Sequence, residues 1–149
     1  MLNIEWTKLN NLQIGRYGEY YAKMVFTAYG FDVYSSEVDD HGVDFIAKNI
    51  NGDFIEVQVK TICRTNYMFI KKDKITLDDR HIVALIRLVD NEEPEMFVFP
   101  TSVWKEPNAV FKDRKYGEWG FNYSKKNRII LEPYTSGLFL SKLYNNSLS

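Results

Sequence analysis

The sequence predicts an α/β (α+β) fold in which one long N-terminal helix packs on a central mixed β-sheet. Three observations carry this. Ile14, Gly18, Tyr21, Val25 and Tyr29 recur at helical spacing between Asn10 and Tyr29. From Phe31 onward, short apolar runs alternate with turn signals, as strands joined mostly by hairpins do. One of those runs, Ile82 to Leu88, is almost wholly apolar, as a strand buried on both faces should be. A helix, then strands, then short mixed elements is an α+β order.

The elements follow from local signals. Asn10 or Asn11 can cap the first helix by accepting a first-turn N–H, and Gly30 follows its end. Phe31–Tyr34 is the next strand. Val43–Ala47 and Phe54–Lys60 form a central hairpin around the Asn51-Gly52 turn signal. Tyr67–Ile70, Ile82–Leu88 and Met96–Phe99 are further strands, with Asn91-Glu92-Glu93-Pro94 turning between the last two. Thr101 caps a short helical turn through Trp104. Phe121–Tyr123 and Arg128–Leu131 are weaker strand candidates. A short helix is expected over Ser136–Tyr144, with 145–149 as a frayed tail.

The 149 residues are enough for one domain with a real core, and 45% hydrophobic content argues against wholesale disorder. No run reaches the roughly 18 apolar residues of a membrane helix, and the first residues lack a signal-peptide layout, so a cytoplasmic location is expected. The single Cys63 excludes an intrachain disulfide and fits a buried, inert thiol. Net charge is −1, but the charges are uneven. Residues 1–60 carry five basic and nine acidic side chains, whereas 104–128 carry seven basic and three acidic. That division suits a phosphate substrate and equally suits an ordinary solvated surface.

The chemistry concentrates between Asp39 and Lys60. On the second strand of the hairpin Ile55, Val57 and Val59 share one face, and Glu56, Gln58 and Lys60 the other. With Asp44 on the preceding strand, this pattern offers oxygen ligands for a hard cation such as Mg²⁺ (or Mn²⁺): the Asp44 carboxylate and the carbonyl oxygens of Gln58 and Val59. Lys60 is placed to orient an attacking water and to neutralise charge on phosphate. A solvated sheet face gives the same alternation. Geometry sets a condition. A two-residue turn would put Asp44 opposite Val59, on the apolar side. A three-residue loop would put it opposite Lys60. The site therefore needs an odd-length loop or a bulge. Glu19, on the first helix among Gly15, Gly18 and Ala22, is a further candidate, since small residues allow close approach to the sheet.

At these residues the chain resembles the PD-(D/E)xK nuclease superfamily. The matching positions are Glu19, then Gly42-Val43-Asp44, then Gln58-Val59-Lys60. The Gln-x-Lys form is similar to methyl-directed restriction endonucleases. The opening helix and the Gly30-Phe31-Asp32-Val33 strand are similar to archaeal Holliday-junction resolvases. Small bacterial nuclease-like domains reading Gly-x-Asp, then Val-Gln-Val-Lys, are a third similarity. The resemblance covers about residues 12–62. It implies a restriction-endonuclease-like core and a metal-dependent DNA endonuclease. In that scheme Asp44 and Gln58 are metal ligands, Lys60 is the catalytic lysine, and Glu19 is an outer-sphere or second-metal ligand. The family usually has an acid where this chain has Gln58, and a neutral amide should hold the cation less tightly. That departure keeps an alternative alive: a catalytically weak or inactive nuclease-fold module binding nucleic acid or a protein partner in a defence or mobile-element system.

DNA contacts are expected from Lys71, Lys72 and Lys74 after the hairpin, and from Lys125, Lys126 and Arg128, which with Phe111–Tyr116 bracket Trp119, Phe121 and Tyr123. Those rings also fit a core. His41 reads as a turn residue, and His81 lies outside any motif. A homodimer is left open.

Overall fold

The computed structural model describes residues 2–35, 37 and 42–146. Asp39, Asp40 and His41, and the last three residues of the expected tail, lie outside them.

Helix α1 (Asn11–Ala28) starts where the polar side chains predict. Asn10 Oδ1 accepts the Gln13 N–H at 2.8 Å, and Gln13 Oε1 accepts the Asn10 N–H at 3.0 Å. This reciprocal box satisfies two otherwise orphan donors. The helix ends before Gly30, whose φ of +101° a side chain would resist. Ile14, Gly18, Ala22 and Phe26 form its buried face.

Five strands make the central sheet: β1 (Asp32–Ser35), β2 (Phe45–Lys48), β3 (Phe54–Cys63), β5 (His81–Leu88) and β6 (Glu95–Pro100), in the order β1-β2-β3-β5-β6. The β3–β5 pair is parallel and the others antiparallel, so the sheet is mixed as expected. Strand β5 is buried at Ile82–Ile86, as its unbroken apolar run predicts. Helix α1 and the C-terminal helix α3 (Ser136–Asn145) cover one face, packing on Ile55, Val57, Ile82, Ala84 and Ile86.

The other face is covered by a second sheet. Strands β4 (Tyr67–Lys71), β7 (Phe111–Arg114) and β8 (Glu118–Asn122) form it in the order β4-β8-β7. The sequence predicts β4 and part of β8 as strands, but neither β7 nor their pairing apart from the central sheet. Its Met68, Ile70, Phe111 and Phe121 pack with Trp104 on Val83, Leu85, Phe97 and Phe99 of the central sheet. The short β4 is thus the crossover between parallel strands β3 and β5, where a helix is more usual. Arg128–Leu131, expected as a strand, is a one-turn helix, α2. Its apolar Ile129 is 77% exposed while Leu131 is fully buried, so one side chain in the turn anchors it. The Thr101 turn is present as a 3₁₀ helix through Lys105, though Thr101 serves differently: its hydroxyl accepts the Asp78 N–H and donates to the Thr76 carbonyl.

The central hairpin is closed by neither a two- nor a three-residue turn. Pairing ends at Lys48↔Phe54, leaving a five-residue loop, Asn49–Asp53. Buried Asn49 organises it. Its Oδ1 accepts the N–H groups of Asn51 and Asp53, and its Nδ2 donates to the carbonyls of Leu143 and Asn146. The loop is odd in length, and regular pairing ends at Phe45, one residue short of Asp44.

Candidate metal-binding site

Strand β3 carries two chemistries on its two faces. Ile55, Val57 and Val59 pack towards α1. Glu56, Gln58 and Lys60 stand opposite His81, Val83 and Leu85 of β5, on the face the second sheet partly covers. The β2–β3 register pairs Phe45 with Val57 and ends there, so Asp44 lies one residue beyond it, and its partner by hydrogen bonding is the stretch 57–59 centred on Gln58.

Asp44 is held around that partner. Its N–H donates to the Val57 carbonyl at 2.9 Å, and its carboxylate Oδ2 accepts the Val59 N–H at 2.6 Å. The two bonds lie on either side of Gln58 along one strand edge. Pairing of β2 with β3 stops at Val57, so from Gln58 onward that edge of β3 has no strand beside it among the described residues. A residue's N–H and C=O point to the same edge of a strand. The Val59 carbonyl is therefore turned towards the edge that Asp44 occupies.

The Gln58 amide oxygen is buried and finds no hydrogen-bond donor among the described residues. Leaving such an atom unpaired costs about 1–3 kcal/mol, so it is an atom suited to an unseen partner. Gly42, with φ +70°, comes so close that a Cβ there would lie 3.3 Å from Gln58 Nε2. Half-buried Lys60 follows on the same face and makes no ion pair among the described residues. Asp44, Gln58 and the Val59 carbonyl supply only oxygen, the donor set Mg²⁺ or Mn²⁺ prefers. The residues fit such an ion. Among the described residues no cluster of three or more His, Cys, Asp or Glu side chains is arranged to hold a metal. An ion here would therefore draw on the amide, the main chain, water and a phosphate.

Glu19 sits elsewhere. It pairs with Lys23 at 3.2 Å, and that ammonium also donates to Ser35 of β1. Its helix packs on the Val59 side of β3, opposite to Gln58 and Lys60, and among the described residues no hydrogen bond or ion pair joins Glu19 to either. The small residues beside it divide. Gly18 and Ala22 are buried against the sheet, whereas Gly15 is exposed with nothing near.

A cleft of about 320 Å³ opens on the Gln58 face, lined by Gly42, Val43, Glu56, Gln58, Lys74 and His81 among others. His81, which no sequence motif pointed to, is held at both ring nitrogens. Nε2 lies 2.6 Å from Glu56, its register partner, and Nδ1 lies 2.7 Å from Asp78. Burial pushes the Asp78 carboxyl up, but hydrogen bonds from the His81 side chain and from the His81 and Arg80 N–H groups outweigh it and hold it below the usual carboxylate range. Asp78 and His81 meet locally, three residues apart, and register across the parallel pair adds Glu56, which sequence spacing could not find.

The basic candidates fall into two groups. Lys71, Lys72 and Lys74 lie at the cleft end of β4, Lys74 on the cleft wall. Lys72 is engaged by Asp113 and lies 4.2 Å over the Trp119 ring. Lys125 and Lys126 are exposed in the turn after β8, at the other end of the small sheet, since Lys71 pairs with Glu118 and Tyr67 with Asn122. Arg128 donates to Glu95 and to the Tyr123 hydroxyl, and the Glu95 carboxylate holds its guanidinium firmly protonated. Phe111, Phe121 and Tyr123 are core. Burial pushes the Cys63 thiol up, away from a reactive thiolate.

The sequence matches no family model and no curated protein. Its fold does match solved structures. A bacterial homing endonuclease, I-Ssp6803I, superposes with a TM-score of 0.58 at 14% identity, covering 93% of this chain and 100% of that one. Hjc, a Holliday junction resolvase from the archaeal hyperthermophile Archaeoglobus fulgidus, gives 0.52 at 11% identity, covering 83% and 95%. At such identities the likeness shows the fold: an α+β arrangement around a central mixed sheet with helices packed on it, shared with two nucleases. No helix among the described residues is long and apolar enough to cross a membrane.

Proposed function

We infer that this chain is a divalent-metal-dependent nuclease acting on DNA, with its reaction centre at the edge of β3 beyond Val57. The observation that carries this is the buried amide oxygen of Gln58, without a hydrogen-bond donor among the described residues, beside the anchored Asp44 carboxylate. Nuclease-fold neighbours support the class of activity. Asp44, Gln58 and the Val59 carbonyl would hold Mg²⁺ or Mn²⁺. Such an ion supplies Lewis-acid neutralisation of the phosphate and eases deprotonation of water. The chain's own groups do the rest. The Val59 N–H fixes the orientation of the Asp44 carboxylate, so little reorganisation is needed when a phosphate arrives. Lys60, next along the same face as Gln58, presents an ammonium to a non-bridging phosphate oxygen and to the attacking water. Glu19 is assigned an outer role, adjusting Lys23 and the β1 end rather than touching phosphate. Lys71, Lys72 and Lys74 extend the contact to backbone phosphates, and Lys125, Lys126 and Arg128 would reach only a long or bent DNA.

The test is cleavage of plasmid, single-stranded and branched DNA with Mg²⁺ or Mn²⁺ against EDTA, for the wild type, Asp44→Ala and Lys60→Ala. Metal-dependent cutting that each substitution lowers by about a hundredfold or more is expected. Binding without cutting by the wild type would assign the chain to the non-catalytic module that a neutral Gln58 also permits.

A further inference from the structure

The second sheet packs on β5 and β6 of the central sheet, and among the described residues its core does not extend over β1 and β2. Tyr34, Ile46, Glu56 and His81 are successive register partners across β1, β2, β3 and β5. One row thus runs from the sheet's outer edge to the imidazole of the cleft. In the next row Asp32 and Lys48 face Phe54. Tyr34 and Phe54 meet with ring centroids 6.3 Å apart, yet they are 47% and 57% exposed. Lys48 stands beside them, its ammonium 3.7 Å from Asp32.

Resting on the nuclease reading above, we propose that Tyr34 and Phe54 form a stacking platform for unpaired bases, so that the substrate has a single-stranded segment next to the cut. Three considerations select this occupant. Strands lie about 4.8 Å apart and residues rise about 3.3 Å, which puts the rings roughly 10–15 Å from Gln58, a reach of about two nucleotides. Half-exposed, the two rings offer on the order of 200 Å², far below the roughly 800 Å² per partner of a standard protein interface. An aromatic face accepts any base, but only one already out of a duplex stack, and the neighbouring Lys48 ammonium suits the connecting phosphate.

Fluorescence anisotropy in EDTA, where cutting is blocked, tests this. One labelled sequence is presented as a single strand, a splayed fork and a duplex. The proteins are wild type, Tyr34→Ala, Phe54→Ala, the double variant and Tyr34→Phe. Each lost ring should weaken single-strand and fork binding about tenfold. Duplex binding should not move, and Tyr34→Phe should bind as wild type does. Unchanged single-strand affinity in the double variant overturns the platform, as does an equal loss on duplex. A wild-type dimer in sedimentation that the double variant abolishes also overturns it, because the face then belongs to a second copy. Fork cleavage by the wild type with Mg²⁺ separates the two readings. Cutting with unaltered variant binding removes the platform alone. A wild type that neither cuts nor binds removes the nuclease reading and the platform with it.

Discussion

At Asp44 the main chain and the side chain grip the same strand two residues apart, on Val57 and Val59. This leaves Gln58 between them, and its amide oxygen is the odd atom of the site. A carboxylate there would add a negative charge to the oxygen set. Gln58→Glu should therefore tighten Mn²⁺ binding by about tenfold, since ligand charge tunes affinity for hard cations; calorimetric titration reads this directly, and unchanged affinity would place the ion elsewhere. Asp78 offers a residue-scale test of stability. Its carboxyl is held below the usual range when folded, so its contribution is present above about pH 4, the unfolded value, and is lost as pH falls through the lower folded value. Asp78→Asn should flatten the acid limb of a denaturation profile, and an unaltered limb would mean that other carboxylates govern it.

Helix α1 and strand β3 show how closely two elements are fitted. A Cβ on Gly18 would stand 1.8 Å from Thr61 Oγ1, whereas a Cβ on Gly15 meets nothing within 4 Å. Gly15→Ala should gain up to about 1 kcal/mol from helix propensity. Gly18→Ala forfeits that gain to overpacking and should lose about 1–3 kcal/mol. Chemical denaturation of the pair separates the effects, and equal shifts would refute the packing. The sequence announced these elements well where local chemistry decides them. A cap at Asn10 or Asn11, Gly30 and the Ile55–Val57–Val59 alternation were legible, whereas the reciprocal bond from Gln13 was not. The loop was not, because Asn51-Gly52 looks like a two-residue turn until Asn49, buried against α3, sets the real length. Arg128–Leu131 misled for a related reason: four residues with two isoleucines read as a strand, while only Leu131 enters the core.

Across the whole molecule two cores share one sheet. The α1 side was foreseeable from amphipathic periodicity. The other was not, because β7 is short and charged (Phe111-Lys112-Asp113-Arg114) and only Phe111 of it is buried. Phe99 lies at the centre of that second core, parallel to Phe121 at 5.8 Å and near Trp104 and Phe111. Phe99→Ala should cost about 3–5 kcal/mol, measured as a lower denaturation midpoint, and a loss below 1 kcal/mol would mean the second sheet adds little. The cleft is lined from β3, β5 and the segment after β4, so global packing shapes the candidate site that the β3 pattern only suggests. A crystal grown with Mn²⁺ and examined by anomalous scattering tests this most directly. A peak within coordination distance of the Asp44 carboxylate, Gln58 Oε1 and the Val59 carbonyl is the predicted result. A fully loaded crystal with its manganese bound anywhere else, and Gln58 Oε1 still unligated, would contradict the account.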